Sequence, residues 1–151
     1  MKNKSVNSVE NYDALCLKNQ LCFPIYAASN MIIKKYKPLL DKLDLTYTQY
    51  IVMMVLWEKK EINVKELGKC VFLDSGTLTP LLKKLESKEY IKRTRSKKDE
   101  RILLVSITKK GEELKKEAIK VPCEMQKKFC IDDKEAKMLY DILYKMLNND
   151  D

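Results

Sequence analysis

The chain has no histidine in its 151 residues. That removes the usual general base, the commonest metal ligand and the Cys–His nucleophile pair, so enzyme readings start without their central residue. Glycine is scarce at three residues, and no Gly-rich phosphate loop is present. With only four prolines as well, the sequence is poor in loop material and favours long helices. No run of about 18 uncharged apolar residues occurs, so no membrane-spanning helix is expected. Residues 1–13 are polar and lack the apolar stretch of a secretory signal, which points to the cytoplasm. There the five cysteines, at positions 16, 22, 70, 123 and 130, stay mostly reduced. They show no CxxC spacing, so neither a zinc site nor a static disulfide framework is expected, and no cofactor is implied.

What remains is a folding, basic sequence: 45% hydrophobic, with a net charge of +8. Residues 1–17 read as a flexible leader, and 18–151 as a single domain. A first helix is expected over 18–43, with Leu21, Ile25, Ala28, Ile32, Tyr36 and Leu39/Leu40 on one face. Pro24 is tolerated only in its first turn, which sets the start near Asn19 or Gln20. Thr48 to Glu58 is apolar almost all round, as a buried helix would be. Asn63-Val-Lys-Glu66 has the spacing of a capping box, and a second opening follows at Asp74 or Ser75. Together they predict a helix-turn-helix over about 63–87, with Cys70 in its core. Ile91–Arg95 and Arg101–Ile107, around a charged tip, predict a hairpin over about 91–107. Helix resumes after Thr108, kinked or interrupted at Pro122, and a last helix opens at about Asp133, so 109–147 is a helical region in more than one piece. The fold class is thus mainly α with a small β-hairpin wing. The terminal helices, 18–43 and 109–147, carry more apolar stripe than one small core needs, which predicts packing against a second copy of the chain.

In the second helix of the helix-turn-helix, Leu78, Leu81, Leu82 and Leu85 form one stripe. Ser75, Gly76, Thr77, Thr79, Pro80, Lys83 and Lys84 fall on and beside the opposite face. Small hydroxyl residues and lysines on an outer helix face suit the major groove of double-stranded DNA. From Lys83 to Arg101 nine Lys/Arg stand against four acids, a net of +5 out of the chain's +8. That concentration, with Arg95, Lys97 and Lys98 near the hairpin tip, is what phosphate contact requires, although a basic face can also serve solubility alone.

Asp74-Ser-Gly-Thr-Leu-Thr-Pro-Leu-Leu-Lys-Lys-Leu-Glu86, Ile91-Lys-Arg-Thr-Arg-Ser96 and Asp99-Glu-Arg101 closely resemble the MarR family of winged helix-turn-helix regulators. The resemblance runs from about Leu21 to Leu147. It implies a homodimer with interlocked terminal helices, and a wing in which Asp99 holds Arg101 for insertion into the minor groove. An A/T-rich minor groove, with its enhanced negative potential, attracts such an arginine. An exposed hairpin ion pair of little energetic weight is the plainer account of the same two residues.

Cys22 lies near the expected start of the first helix, where unpaired amides and the helix dipole favour a thiolate. By itself, a cysteine among Leu21, Phe23 and Ile25 reads as a small core residue. However, Leu21-Cys22-Phe23, Tyr36-Lys-Pro-Leu-Leu-Asp-Lys-Leu43 and Leu45-Thr-Tyr47-Thr-Gln-Tyr50 resemble the organic-hydroperoxide resistance repressors within the family. That resemblance implies that Cys22 senses an organic hydroperoxide, with Tyr36 and Tyr47 hydrogen-bonded to it and Tyr26 nearby. Aromatic packing at a dimer core would also account for the tyrosines. One branch of these repressors completes the switch with a second cysteine, for which Cys123 and Cys130 are candidates, although the matching position falls nearer Lys127. The other branch uses a low-molecular-weight thiol. Two rival functions remain: a regulator released by a phenolic or lipid ligand, and a thiol peroxidase, which the missing CxxC and histidine oppose.

Overall fold

The structure, a computed structural model, describes residues 12–148. Helix α1 spans Cys22–Leu40, so it opens later than the sequence suggested, with Pro24 in its first turn, where a missing N–H costs no helical bond. Residues 12–19 are less loose than the expected leader. They form two 3-10 turns, Tyr12–Leu15 and Leu17–Asn19, tied by the Asn19 side-chain amide donating to the Asp13 carbonyl at 2.8 Å. The rest of that leader, residues 1–11, lies outside the described residues. A further 3-10 turn, Asp41–Leu43, closes the first helical segment.

Helix α2, Tyr47–Lys59, opens on a reciprocal cap that the sequence reading did not anticipate. The Thr46 hydroxyl accepts from the Gln49 N–H at 3.3 Å, and the Gln49 side chain accepts from the Thr46 N–H at 3.0 Å. The helix is buried through Tyr50, Val52, Met53, Leu56 and Trp57, as its all-round apolarity predicts, while Met54 stays exposed. A short strand β1, Glu61–Asn63, follows and was not expected, because three residues cannot display an alternation.

Helix α3, Val64–Val71, is capped by the Asn63 side chain accepting from the Glu66 N–H at 2.8 Å, and helix α4 spans Ser75–Ser87. The wing strands are β2, Ile91–Arg95, and β3, Leu103–Ile107. The antiparallel sheet has the order β1-β3-β2, with Ile62 opposite Val105 and Ile91 opposite Ile107. Leu40, Met53, Leu56, Leu67, Leu78, Leu82, Leu85, Ile91 and Val105 share one core that seats α4 and the wing on α2. Burial of each such side chain favours folding by about 1.5–3 kcal/mol.

The helical stretch 109–147 divides into α5, Lys109–Ala118; α6, Lys120–Gln126; and α7, Asp133–Leu147, so the break near Pro122 and a last helix from Asp133 are both where they were expected. Pro122 has no N–H for the Ala118 carbonyl, and α5 ends at that residue. Residues 127–132 then turn the chain, and Asp132 with Glu135 forms the reciprocal cap that opens α7. No residue of α7 is buried. Met138, Leu139, Tyr140, Ile142, Tyr144, Met146 and Leu147 are each 42–65% exposed, and Phe23, Tyr26, Met31 and Ile33 of α1 are exposed as well. Among the described residues no helix is long and apolar enough to cross a membrane.

Candidate nucleic-acid interface and thiol site

The turn between α3 and α4 is closed by Phe72 in the left-handed region, at φ 53°. Asp74 then opens α4: its carboxylate accepts the Thr77 N–H at 3.0 Å and the Thr77 hydroxyl at 2.8 Å. These bonds, the hydroxyl's first, hold the Asp74 carboxyl below the usual carboxylate range. A Cβ at Gly76 would stand 2.9 Å from the same carboxylate, so glycine there leaves room for the cap. Leu78, Leu81, Leu82 and Leu85 are buried, while Ser75, Gly76, Thr77, Thr79, Pro80, Lys83 and Lys84 are all exposed. The expected division into core stripe and outer face is therefore present.

Sequence reading missed the clamp between this helix and the wing. Arg93 donates to Glu86 through its backbone N–H at 2.9 Å, its Nε at 2.8 Å and its Nη2 at 2.6 Å. The pair is half-buried, and the Arg93 bonds pull the Glu86 carboxyl below its ordinary range. A charge count treats the two as cancelling. Their opposite signs seven residues apart, across a helix-to-strand turn, were the available signal.

At the wing tip Asp99 accepts the backbone N–H of Arg101 at 2.9 Å, and no ion pair joins the two side chains among the described residues. Asp99 thus holds Arg101 through its backbone, fixing the point from which the side chain departs. Arg95 donates to the Glu100 carbonyl at 2.6 Å, and Ile102 N–H to the Asp99 carbonyl at 3.0 Å, so the tip is internally braced. Arg95, Lys97, Lys98, Asp99 and Arg101 are all exposed.

Cys22 is the first residue of α1 and is exposed. Tyr26 lies one turn further on the same helix and is exposed too. Tyr36 is also on α1, and at 1.5 Å per residue its Cα stands about 21 Å along the axis from that of Cys22. Tyr47 keeps company with Tyr36, ring centroids 4.9 Å apart. The structure therefore unites Tyr36 and Tyr47 with each other, while the expected hydrogen bond to Cys22 is not made within one chain. Tyr50 joins the pair at 6.0 Å from Tyr36.

Burial raises the pKa of Tyr36 and Tyr47 and pushes Tyr50 up to about 12. The Tyr50 phenol ionises near 10 when unfolded, so the folded chain holds its proton more tightly. Its contribution to stability is complete below pH 10 and is lost as pH rises through about 12. Chemical denaturation across that window is expected to show a loss on the order of 2 kcal/mol, flattened in Tyr50→Phe. An equal loss in both proteins would refute this account.

Cys123, on α6, and Cys130, in the 127–132 turn, are both exposed. That turn is held to α1: the Lys35 ammonium donates to the Lys128 carbonyl at 2.7 Å and lies 5.6 Å from the Phe129 ring centroid. Lys127 pairs with Glu124 at 2.8 Å. Cys70, expected in the core, is exposed on α3, because Leu67 and Gly68 occupy the buried face. Cys16 is half-buried between the two 3-10 turns.

The family model for the transcriptional regulators SarA/Rot matches residues 34–118. The chain is 44% identical over 136 residues to an organic hydroperoxide resistance transcriptional regulator of Bacillus subtilis, covering 90% of this chain and 92% of that one. It is 48% identical over 132 residues to the HTH-type transcriptional regulator SarZ of Staphylococcus aureus, covering 87% of each. Among solved structures, reduced AbfR bound to DNA superposes with a TM-score of 0.74 at 32% identity, over 89% of this chain and 96% of that one. AbfR, a Staphylococcus epidermidis protein, is also known overoxidised on DNA, at a TM-score of 0.73, and with a disulfide formed, at 0.60. The overoxidised and disulfide forms are 32% and 31% identical, each over 89% of this chain, and over 95% and 92% of their own lengths. A winged helix-turn-helix with this pattern of relatives is a regulator and not an enzyme: the chain belongs to the SarA/Rot family of MarR-like transcriptional regulators.

Proposed function

We propose that this protein is a cytoplasmic, homodimeric repressor that binds operator DNA and releases it when an organic hydroperoxide oxidises Cys22. The observation that carries the reading is the separation of Cys22 from Tyr36 on one helix, about 21 Å along its axis. Two α1 helices running antiparallel across a two-fold axis bring each thiol to the other chain's Tyr36 and Tyr47, whose phenols stay protonated and able to donate. The exposed apolar residues of α7 and of the start of α1 supply the surface for that pairing. The relation to a hydroperoxide-resistance regulator supports the oxidant class.

The chemistry balances with the residues at hand. The Cys22 thiolate attacks the terminal oxygen of ROOH, the O–O bond breaks, and RO⁻ leaves to take a proton, giving Cys22 sulfenic acid and ROH. A second thiol then attacks the sulfenic sulfur, forming a disulfide and water. Cys123, Cys130 or a low-molecular-weight thiol can serve as that partner. AbfR was crystallised on DNA even when overoxidised. That supports the disulfide, rather than added oxygen alone, as the releasing state. The test is a mobility-shift titration on the upstream DNA of the chain's own gene, with and without cumene hydroperoxide, comparing wild type with Cys22→Ser.

On the DNA side, Arg101→Ala is expected to weaken operator binding about tenfold, on the scale of one lost groove contact. Asp99→Ala should weaken it less, since it frees only the backbone that aims Arg101. Lys83→Ala should lower the slope of log K against log salt by about 0.9, the value of one phosphate contact. Anisotropy titrations at several salt concentrations measure all three, and wild-type binding by all three would refute the assignment of α4 and the wing.

A further inference from the structure

Trp57 is the only tryptophan in the chain and lies buried in the last turn of α2. Its ring meets Tyr50 edge-on at 6.1 Å, Tyr50 meets Tyr36 at 6.0 Å, and Tyr36 meets Tyr47 at 4.9 Å. On its other side the indole N–H donates to the Gly111 carbonyl at 2.8 Å. Gly111 stands in the first turn of α5, where any Cβ would collide with the Tyr90 carbonyl and come within 3.0 Å of Ile107. The Gly111 N–H is bonded to the Thr108 hydroxyl at 3.0 Å, and the Thr108 N–H to the Tyr90 carbonyl at 3.0 Å. Ile107 donates its N–H to the Lys60 carbonyl at 2.9 Å. Tyr90 precedes β2 and Ile107 ends β3, so this close-packed knot is the root of the wing.

We propose that Trp57 is a positioning residue: it joins the tyrosine cluster to the root of the wing and passes a shift at Tyr36 and Tyr47 on to Arg101. The inference rests on the reading of Cys22 as the switch. Ring-to-ring contacts in a close-packed interior do not absorb a displacement; they move between discrete arrangements. The indole bond ties the last ring to a glycine that has no room to slip. Five strand residues span roughly 17 Å from root to tip, so a rotation of about 10° at the root carries the tip some 3 Å, half the width of a minor groove.

The test compares wild type with Trp57→Phe, which keeps a six-membered ring for the stack and deletes the pyrrole ring with its N–H donor. Cys22 oxidation by cumene hydroperoxide is followed by intact mass, and operator binding is measured on the reduced and oxidised proteins. Oxidation should proceed at the wild-type rate, and reduced binding should stay within about twofold. The ratio of oxidised to reduced Kd should fall at least tenfold below that of wild type. Tyr50→Leu, which breaks the stack and leaves the indole in place, should lose the same coupling, whereas Tyr50→Phe should keep it. Oxidised Trp57→Phe that releases DNA as fully as wild type overturns the joint and leaves the sensing role of Cys22 standing. Wild type that stays bound with Cys22 fully oxidised overturns the switch instead. The joint is then judged on the reduced proteins: faster amide exchange along β2 and β3 in Trp57→Phe supports it, and unchanged exchange sinks it.

Discussion

Cys22→Ser is expected to bind its operator as the wild type does and to remain bound in organic hydroperoxide at concentrations that release the wild type at least a hundredfold. The serine hydroxyl is smaller than the thiol, keeps its place at the exposed start of α1, and is not a nucleophile toward the O–O bond. A hundredfold change in occupancy requires oxidation to disfavour the bound form by only about 2.7 kcal/mol. A disulfide placed where a thiol met tyrosine donors easily costs that much, through lost hydrogen bonds and displaced packing. If release runs through a protein disulfide, Cys123→Ser or Cys130→Ser should reproduce the loss of release while Cys22 still oxidises. If it runs through a low-molecular-weight thiol, both variants should respond like wild type, and omitting that thiol should slow release. Mobility shifts paired with intact-mass measurements separate these cases. Release of Cys22→Ser at the wild-type dose would place the sensor elsewhere.

The parts of this fold that were legible in the sequence are those set by local chemistry. The Asn63 and Asp74 caps, the leucine stripe of α4 and the strand through Leu103, Val105 and Ile107 each need only near neighbours, and each lies where it was expected, although in β3 only Val105 is buried and its neighbours on both faces are half-buried. What escaped was set by tertiary partners. β1 is a strand only because β3 offers it a ladder, and Glu61–Asn63 alone is too short to announce that. Cys70 looked apolar enough for the core, but Leu67 and Gly68 already fill the inward face of α3. Pro122 marked an interruption, yet the break falls four residues earlier, at the carbonyl the proline cannot satisfy. The thiol site shows the same limit most sharply. The family resemblance named Cys22, Tyr36 and Tyr47 together, whereas the length of one helix keeps the first apart from the other two within a chain.

That separation makes assembly the second large effect. Ile142→Glu on α7 is expected to leave a folded monomer that has lost operator affinity by more than a hundredfold. Ile142 is 51% exposed in the single chain and lies among Met138, Leu139 and Met146, which are exposed to a similar degree. None of these residues helps build the core that seats α4 and the wing, so the substitution should leave the melting of that core nearly unchanged. In a two-fold pair, by contrast, a carboxylate on this stripe would be desolvated without a partner, a cost of several kcal/mol that falls on both chains at once. A dimer whose two recognition helices lie about 34 Å apart gains its second half-site at high effective concentration. A monomer gives up that gain, and one half-site alone binds little better than nonspecific DNA. The thiol would lose its donors in the same stroke, so peroxide reactivity at Cys22 should fall along with DNA binding. Light scattering at micromolar concentration, an anisotropy titration and a timed peroxide reaction make the comparison. A variant that stays dimeric, or a monomer that keeps full operator affinity, would show that α7 is not the surface on which the two chains meet.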